Sequence, residues 1–330
     1  MAKDIGIDLG TANVLIYVQG KGVVLNEPSV VAVDTKTNKV LAVGSEAYRM
    51  VGRTPSNIRA IRPLKDGVIS DFDVTQEMLS YFIGKLSVKG FMSKPNIMIC
   101  APTNITDIER KAIIQAAEQS GGGKVYLEYE PKVAAIGAGL DIFKPRGNMV
   151  IDMGGGTSDI AILSLGDIVS SQSIRMAGDK MNADIANYIK NKHGLVIGEH
   201  TAEKIKMDLG TALRVDDPAT MDVRGRDVAS GMPKQITVNE NEIEEALHDT
   251  LEQIVAAAIH VLETIPPELA SDIIDRGIML TGGTSLLKGI DQLFSARLKV
   301  PVVVSQDPLD NVARGAGEML ERMQKTERKK

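Results

Sequence analysis

At 330 residues, 43% of them apolar and 25% charged, the chain has the composition of a soluble globular protein with room for two domains of ordinary size. A formal net charge of −5 and the lack of any long basic stripe set nucleic acid aside as the main partner. Cys100 is the only cysteine, and His193, His200, His248 and His260 are scattered, so neither a disulfide framework nor a zinc site is expected, which fits a reducing cytoplasm.

The N-terminal stretch enters a strand-like run almost at once and leaves no room for a signal peptide. No apolar run approaches the ~18–20 residues of a membrane-spanning helix. The segment "KDIGIDLGTANVLIYVQGKG" reads as strand, tight polar turn, strand, and "EPSVVAVD" and "KVLAVG" follow as short strands. "TQEMLSYFIGKLS" carries Met78, Leu79, Phe82, Ile83 and Leu86 at helical spacing. "PNIMICAP" reads as a buried strand. "TDIERKAIIQAAEQSGGG" reads as a helix with a Thr106–Glu109 capping box, stopped by the glycines at 121–123. "KVYLEYEPKVAAIGAG" gives a short strand and an alanine-rich helix. The second half repeats this order: strands, a helix over 179–192, helices near 200–212 and 241–264, the strand "GIMLTGG", and a last helix near 310–323. Residues 214–240 read as a small β-rich insertion.

The two halves open on related phrases. "GIDLGTANVLI" (6–16) and "VIDMGGGTSDIAI" (150–162) both run apolar residue, Asp, apolar residue, Gly, small hydroxyl residues, then a β-branched run. Their placement at the head of two similar β/α series points to duplication, with two α/β domains facing each other and the two turns meeting at a cleft. The insertion at 214–240 and the region 33–70 are then small subdomains at the outer end.

Glycines in such turns let main-chain N–H groups close around phosphate oxygens. Asp8 and Asp152 stand beside them, and a carboxylate tolerates a phosphate only with a cation between; Mg²⁺, held mostly through water, is the expected one. One turn alone is equally a glycine-bearing hairpin; two in register imply a magnesium–nucleotide clasped from both sides. Neither a Walker loop nor a dinucleotide fingerprint is present. The Thr281-Gly282-Gly283-Thr284 stretch ends a strand ahead of a helix; it is either a tight turn or a seat for ribose or adenine. Glu203 and Lys206, three apart on one helical face, are a solvated ion pair or a nucleoside clamp. Glu130, just before Pro131, either favours a helix dipole or orients a water for in-line attack on a γ-phosphate.

Together these stretches resemble the actin/sugar-kinase/heat-shock-chaperone ATPase superfamily, and within it the bacterial actin-like rod-shape family, MreB/Mbl. The resembling residues cover the whole chain and include "DIGIDLGTANVLIYVQGKGVVLNEPSVVA", "GRTP", "IRPLKDGVISDF", "EPKVAAIGAG", "TAEKIKMDLGTA", "RGRD" and "DIIDRGIMLTGG". The resemblance implies an α/β, actin-like fold of two duplicated domains around a nucleotide cleft. Residues 1–145 would form the first, with a small subdomain at about 33–70 and completed by the helix at about 310–330. Residues 146–309 would form the second, with a small subdomain at about 180–243. It implies ATP/ADP and Mg²⁺ as cofactors, a first phosphate loop of Asp8, Gly10, Thr11, Ala12 and Asn13, and a second of Asp152, Gly154, Gly155, Gly156 and Thr157. Asp8 and Asp152 would hold the magnesium shell, Glu130 would activate water with help from Thr157, Glu203 and Lys206 would contact the nucleoside, and Gly282, Gly283 and Thr284 the adenosine.

The implied activity is slow ATP hydrolysis coupled to polymerisation. The implied partners are further copies of the chain in paired protofilaments, the inner face of the cell membrane, and cell-shape or wall-elongation proteins, with a cytoplasmic, membrane-associated location. Two departures stand out: Thr-Ser-Asp in the second loop where the family more often has Thr-Thr-Asp or Thr-Thr-Glu, and Gly-Gly-Thr-Ser at the adenosine turn where a third glycine and an alanine are usual. Some members carry an N-terminal amphipathic helix, which the few residues before the first strand cannot supply. The membrane contact is therefore expected at "VKGFMSKP", where Lys89 and Lys94 flank Phe91 and Met92, unless that pair folds into the core. The basic tail "RMQKTERKK" is either a solvated end or a further attraction to anionic lipid. Two rival readings remain, a metabolite kinase of the same superfamily and a nucleotide-binding filament scaffold with little turnover.

Overall fold

In a computed structural model the described residues are 3–86 and 94–327. The first large sheet runs, edge to edge, Val125–Tyr129, Ile97–Ala101, Ile5–Leu9, Asn13–Val18, Gly22–Pro28. The second runs Val302–Val304, Ile278–Thr281, Asn148–Met153, Ser158–Ser164, Asp167–Ile174. Each is a three-stranded antiparallel meander extended on one side by two parallel strands, in the same chain order. The internal echo in the sequence is thus an echo of topology.

Side-chain alternation sorts the strands onto three apolar layers. Ile97, Ile99 and Ala101 face the layer under the helices Phe72–Lys85 and Asp107–Gln119, while Met98 and Cys100 face the opposite way. In the second sheet Met149, Ile151, Met153, Ile160 and Ile162 face the helices Gly178–His193, Glu199–Leu209 and Glu240–Glu263, whereas Val150, Ala161 and Leu163 join Met98 and Cys100. That shared layer between the sheets is filled by the helices Glu130–Gly137 and Asn311–Glu327. Strands buried on both faces need near-continuous apolar runs, and IMICA and NMVIDM are such runs.

The two central helices cross at backbone contact. A methyl on Gly315 would lie 1.8 Å from the Val133 carbonyl oxygen, and one on Gly137 would lie 1.9 Å from that of Asn311. Arg314 Nε donates to the Gly137 carbonyl at 2.9 Å and fixes the crossing.

Two smaller sheets stand outside this body. Val40–Val43, Val31–Asp34 and Ile58–Ile61 form one, beside the short helix Ser45–Tyr48; Leu195–Val196, Thr220–Asp227 and Pro233–Asn239 form the other. The capping box expected at Thr106 is present: Thr106 N donates to Glu109 Oε2 at 2.8 Å, and Glu109 N to Thr106 Oγ1 at 3.3 Å.

Some boundaries differ from the sequence reading. The last described helix runs Asn311–Glu327, beyond 323. The helix Pro267–Arg276 was not expected; it is a short element of ten residues that fully buries Ile273 alone. After Thr281 the chain makes a 3₁₀ turn, Gly283–Leu286, and the next helix, Ile290–Leu298, starts only after Gly289 adopts a left-handed conformation. Lys89, Phe91 and Met92 lie outside the described residues; Lys94 is exposed. Among the described residues no helix is long and apolar enough to cross a membrane.

Candidate nucleotide site

The turns at the ends of Ile5–Leu9 and Asn148–Met153 meet between the two sheets. Gly155 lies against Ala12 and Gly156 against Thr11: added Cβ atoms would come within 2.6 Å of Ala12 Cβ and 2.5 Å of Thr11 Oγ1. Any larger residue would push the turns apart, which is the physical reason for glycine here.

Each turn is braced from behind. In the first, Ser29 Oγ donates to the Gly10 carbonyl at 2.6 Å and Ser29 N to the Ala12 carbonyl at 2.8 Å, while Asn13 Nδ2 donates to Asn26 Oδ1 at 2.6 Å. In the second, the Gly154 carbonyl accepts from Thr284 Oγ1 at 2.8 Å and from Gly178 N at 3.2 Å, and the Gly155 carbonyl accepts from Asp179 N at 2.8 Å. With those carbonyls engaged by the start of the helix Gly178–His193, the N–H edge of the loop is the one turned to an anion.

Carboxylates line the floor. Asp8 and Asp152 project from the inner faces of their sheets, and Asp152 Oδ1 accepts from Thr281 Oγ1 at 2.6 Å, Thr281 being its neighbour on the adjacent strand. Burial, reinforced by the charge of Asp152, pushes Asp8 up to about 8. Burial likewise pushes Asp152 up to about 7, against the Thr281 hydrogen bond. Glu130, 9% exposed at the first turn of its helix, is raised well above the usual range by burial and then by the charges of Asp159, Asp8 and Asp152. These directions mean that the charged floor is under-compensated by protein groups. A divalent cation fits it: two hard carboxylate donors stand beside an anion-binding turn, and among the described residues no cage of three or more potential protein ligands forms, as suits an ion that keeps water and phosphate ligands.

The outer wall carries the remaining expected residues. Gly282 has φ +79°, and a Cβ there would lie 2.3 Å from the Met153 carbonyl oxygen, so the turn at Gly282, Gly283 and Thr284 is seated on the second loop. Lys206 Nζ donates to the Gly178 carbonyl at 2.9 Å and stays on this wall. Glu203 is engaged differently. Its carboxylate accepts the Tyr48 hydroxyl from the opposite half. Next to it Arg62 Nε donates to Glu199 Oε1 at 3.0 Å, and the Tyr48 ring meets the His200 ring edge-on at 4.2 Å. Of the pair Glu203 and Lys206, Glu203 thus takes part in a contact that joins the two small outer sheets' neighbourhoods, while Lys206 braces Gly178 beside the second loop.

Several contributors were not singled out in the sequence. The hairpin Leu64–Lys65/Val68–Ile69 puts its Asp66–Gly67 tip between the two loops: both residues have positive φ, Gly67 N donates to Thr11 Oγ1 at 3.0 Å, and a Cβ on Gly67 would meet Pro102 and Thr157. An Asp-Gly pair flanked by apolar residues is a hairpin signal that could have found it. Ser29, Tyr48, Arg62, Thr103 and Asp159 carry no such local signal, because their partners are distant in sequence.

Two halves of one topology, each opening on a glycine turn, with the turns meeting over paired carboxylates, define an actin-like protein. The profile of the family described as MreB/Mbl protein matches residues 2–328. The cell shape-determining protein Mbl of Bacillus subtilis (strain 168) is 62% identical over 329 residues, covering 100% of this chain and 99% of its own length. The cell shape-determining protein MreB of Escherichia coli (strain K12) is 49% identical over 325 residues, 97% of this chain and 94% of its own. Among solved structures, MreB5 of Spiroplasma citri bound to AMPPNP aligns with a TM-score of 0.95 and 39% identity over 100% of this chain and 99% of that one. The chain belongs to the MreB/Mbl family, the actin-like cytoskeletal proteins that set cell shape.

Proposed function

We propose that the chain binds ATP with Mg²⁺ between its two halves, hydrolyses it slowly, and polymerises into paired protofilaments on the inner face of the cell membrane, where cell-shape or wall-elongation proteins act with it. The observation that carries the reading is the meeting of the two glycine turns over Asp8, Asp152 and Glu130. The nucleotide in the 39%-identical MreB5 structure supports it. Asp8 and Asp152 would hold the cation, which supplies charge neutralisation at the phosphates. Glu130 and Thr157 orient a water. The water oxygen bonds to the γ-phosphorus, the bond to the bridging oxygen of ADP breaks, and the water's proton passes to Glu130 and on to the released phosphate. Bound nucleotide touches both halves at once, so it favours the closed form and biases polymerisation.

The test is ATP-dependent sedimentation with and without anionic liposomes. Wild type is expected to pellet with Mg-ATP. Glu130→Ala is expected to bind nucleotide and pellet while cleaving ATP about 100-fold more slowly in a single turnover, the usual order for a lost general base. Phe91→Ser/Met92→Ser is expected to pellet alone yet no longer co-float with vesicles. Absence of pelleting under every nucleotide condition overturns the filament reading, and undiminished vesicle binding by the double variant moves the membrane contact to the basic residues at 322–330.

A further inference from the structure

Asp159 is 1% exposed and stands opposite Asp152 in the antiparallel pair Asn148–Met153/Ser158–Ser164. It is two residues past Thr157, so the three side chains share the inner face of the sheet. Its Oδ1 accepts the main-chain N–H of Thr103 at 3.1 Å. Thr103 follows the strand Ile97–Ala101 of the other sheet, so this bond ties the two halves together at the floor of the cleft. Its Oδ2 is fully buried and has no hydrogen-bond partner among the described residues. A buried acceptor left bare is costly, so a donor is expected for it in the working state. Among the charges that act on Glu130, that of Asp159 is the largest; the hydroxyl of Ser173, directly opposite on the next strand, and then that of Thr157 both act on Asp159.

We propose that Asp159 is a positioning residue for hydrolysis, whose free Oδ2 accepts the proton of the Thr157 hydroxyl once Thr103 has locked Oδ1 across the two halves. The proposal deepens the ATPase reading and rests on it. A hydroxyl offers one proton and two lone pairs. With its proton committed to Asp159, Thr157 meets the attacking water as an acceptor, as does the Glu130 carboxylate. Both protons of the water are then held away from the phosphate, and its lone pair is left to face the phosphorus. The Thr103 link makes this arrangement depend on closure.

Asp159→Asn tests it. The amide keeps a carbonyl for Thr103 N–H and places a donor where Oδ2 was, which reverses the Thr157 hydroxyl. Three quantities are read on the full chain: binding of a fluorescent ATP analogue, the thermal midpoint, and single-turnover cleavage of Mg-ATP. Asp159→Asn is expected to bind within about twofold of wild type, to melt no lower, and to cleave at least about tenfold more slowly. Thr157→Val is expected to show the same loss, with no further loss when the two are combined. Ser173→Ala is expected to cleave at the wild-type rate. Wild-type cleavage by Asp159→Asn, an Asp159→Asn chain that loses its fold or its nucleotide, or a Ser173→Ala loss equal to that of Asp159→Asn overturns the proposal and assigns Asp159 to structure. A wild-type chain that binds ATP and leaves it uncleaved removes the ATPase reading and this proposal together.

Discussion

Asp8 and Asp152 set the pH behaviour of the cleft in the absence of nucleotide and cation. Both are raised from 3.8, Asp8 to about 8 and Asp152 to about 7. Between pH 4 and 8 the folded chain therefore binds more protons at these sites than the unfolded chain, and the stability they contribute is greatest at the acid end and falls as pH rises through 7 and 8. Glu130 and Asp159 are raised as well and act with the same sign. In EDTA, the thermal midpoint is expected to drop from pH 6 to pH 8.5. Mg-ATP is expected to reduce that drop, because the cation meets the carboxylates once they ionise. Protons and Mg²⁺ compete for the same oxygens, so Mg²⁺ affinity measured by calorimetry should rise by up to about tenfold per pH unit for each proton displaced. A pH-independent affinity across this range would remove Asp8 and Asp152 from the metal's shell. Gly156 gives a second check at this scale. Gly156→Ala drives a methyl to within 2.5 Å of Thr11 Oγ1, and nucleotide affinity should fall by at least tenfold while the melting midpoint hardly moves.

Elements formed by local chemistry were legible. The Thr106–Glu109 capping box, the buried run IMICA and the helix burying Met78, Leu79, Phe82 and Ile83 all follow from signals a few residues long. The same holds for the antiparallel pair around "DLGTAN", since a strand–turn–strand of this length closes on itself. What was not legible was tertiary. The 3₁₀ turn at Gly283–Leu286 depends on Thr284 reaching the Gly154 carbonyl, and Glu203 takes the Tyr48 hydroxyl from the other half. The crossing of Glu130–Gly137 and Asn311–Glu327 likewise needed both helices to be seen together. Its dependence on bare backbone gives a sharp expectation: Gly315→Ala places a methyl 1.8 Å from a carbonyl that cannot yield without moving a helix. Overpacking on this scale costs about 3 kcal/mol or more, to be read as a lower urea midpoint at unchanged slope. Gly139→Ala, with nothing within 4 Å of its Cβ, serves as the comparison; its φ of +83° gives a smaller loss by backbone strain alone.

For the whole molecule, the contact of Tyr48 and Arg62 with Glu203 and Glu199 spans the cleft on the side of the small outer sheets. It opposes opening without touching the reacting atoms. Tyr48→Phe combined with Arg62→Ala is expected to speed release of a fluorescent nucleotide about tenfold, since the hydrogen bonds of Tyr48 and Arg62 to the Glu203 and Glu199 carboxylates are together worth about 2–3 kcal/mol at most when half-buried. Cleavage in a single turnover should stay near wild type. Equal release rates would place the closing energy elsewhere. The order of the chain adds a consequence for how the protein is made. Strands Ile5–Leu9 and Asn13–Val18 leave the ribosome well before the helix that covers their inner face, Asn311–Glu327, where Gly317 lies against Tyr17 and Gly6 against Gly317. During synthesis the first sheet therefore waits, with an apolar face open, while the entire second half emerges and closes its own outer layer. Completion of the older half waits on Asn311–Glu327, and a nascent chain that stalls before residue 311 holds a finished second half tethered to an unfinished first one.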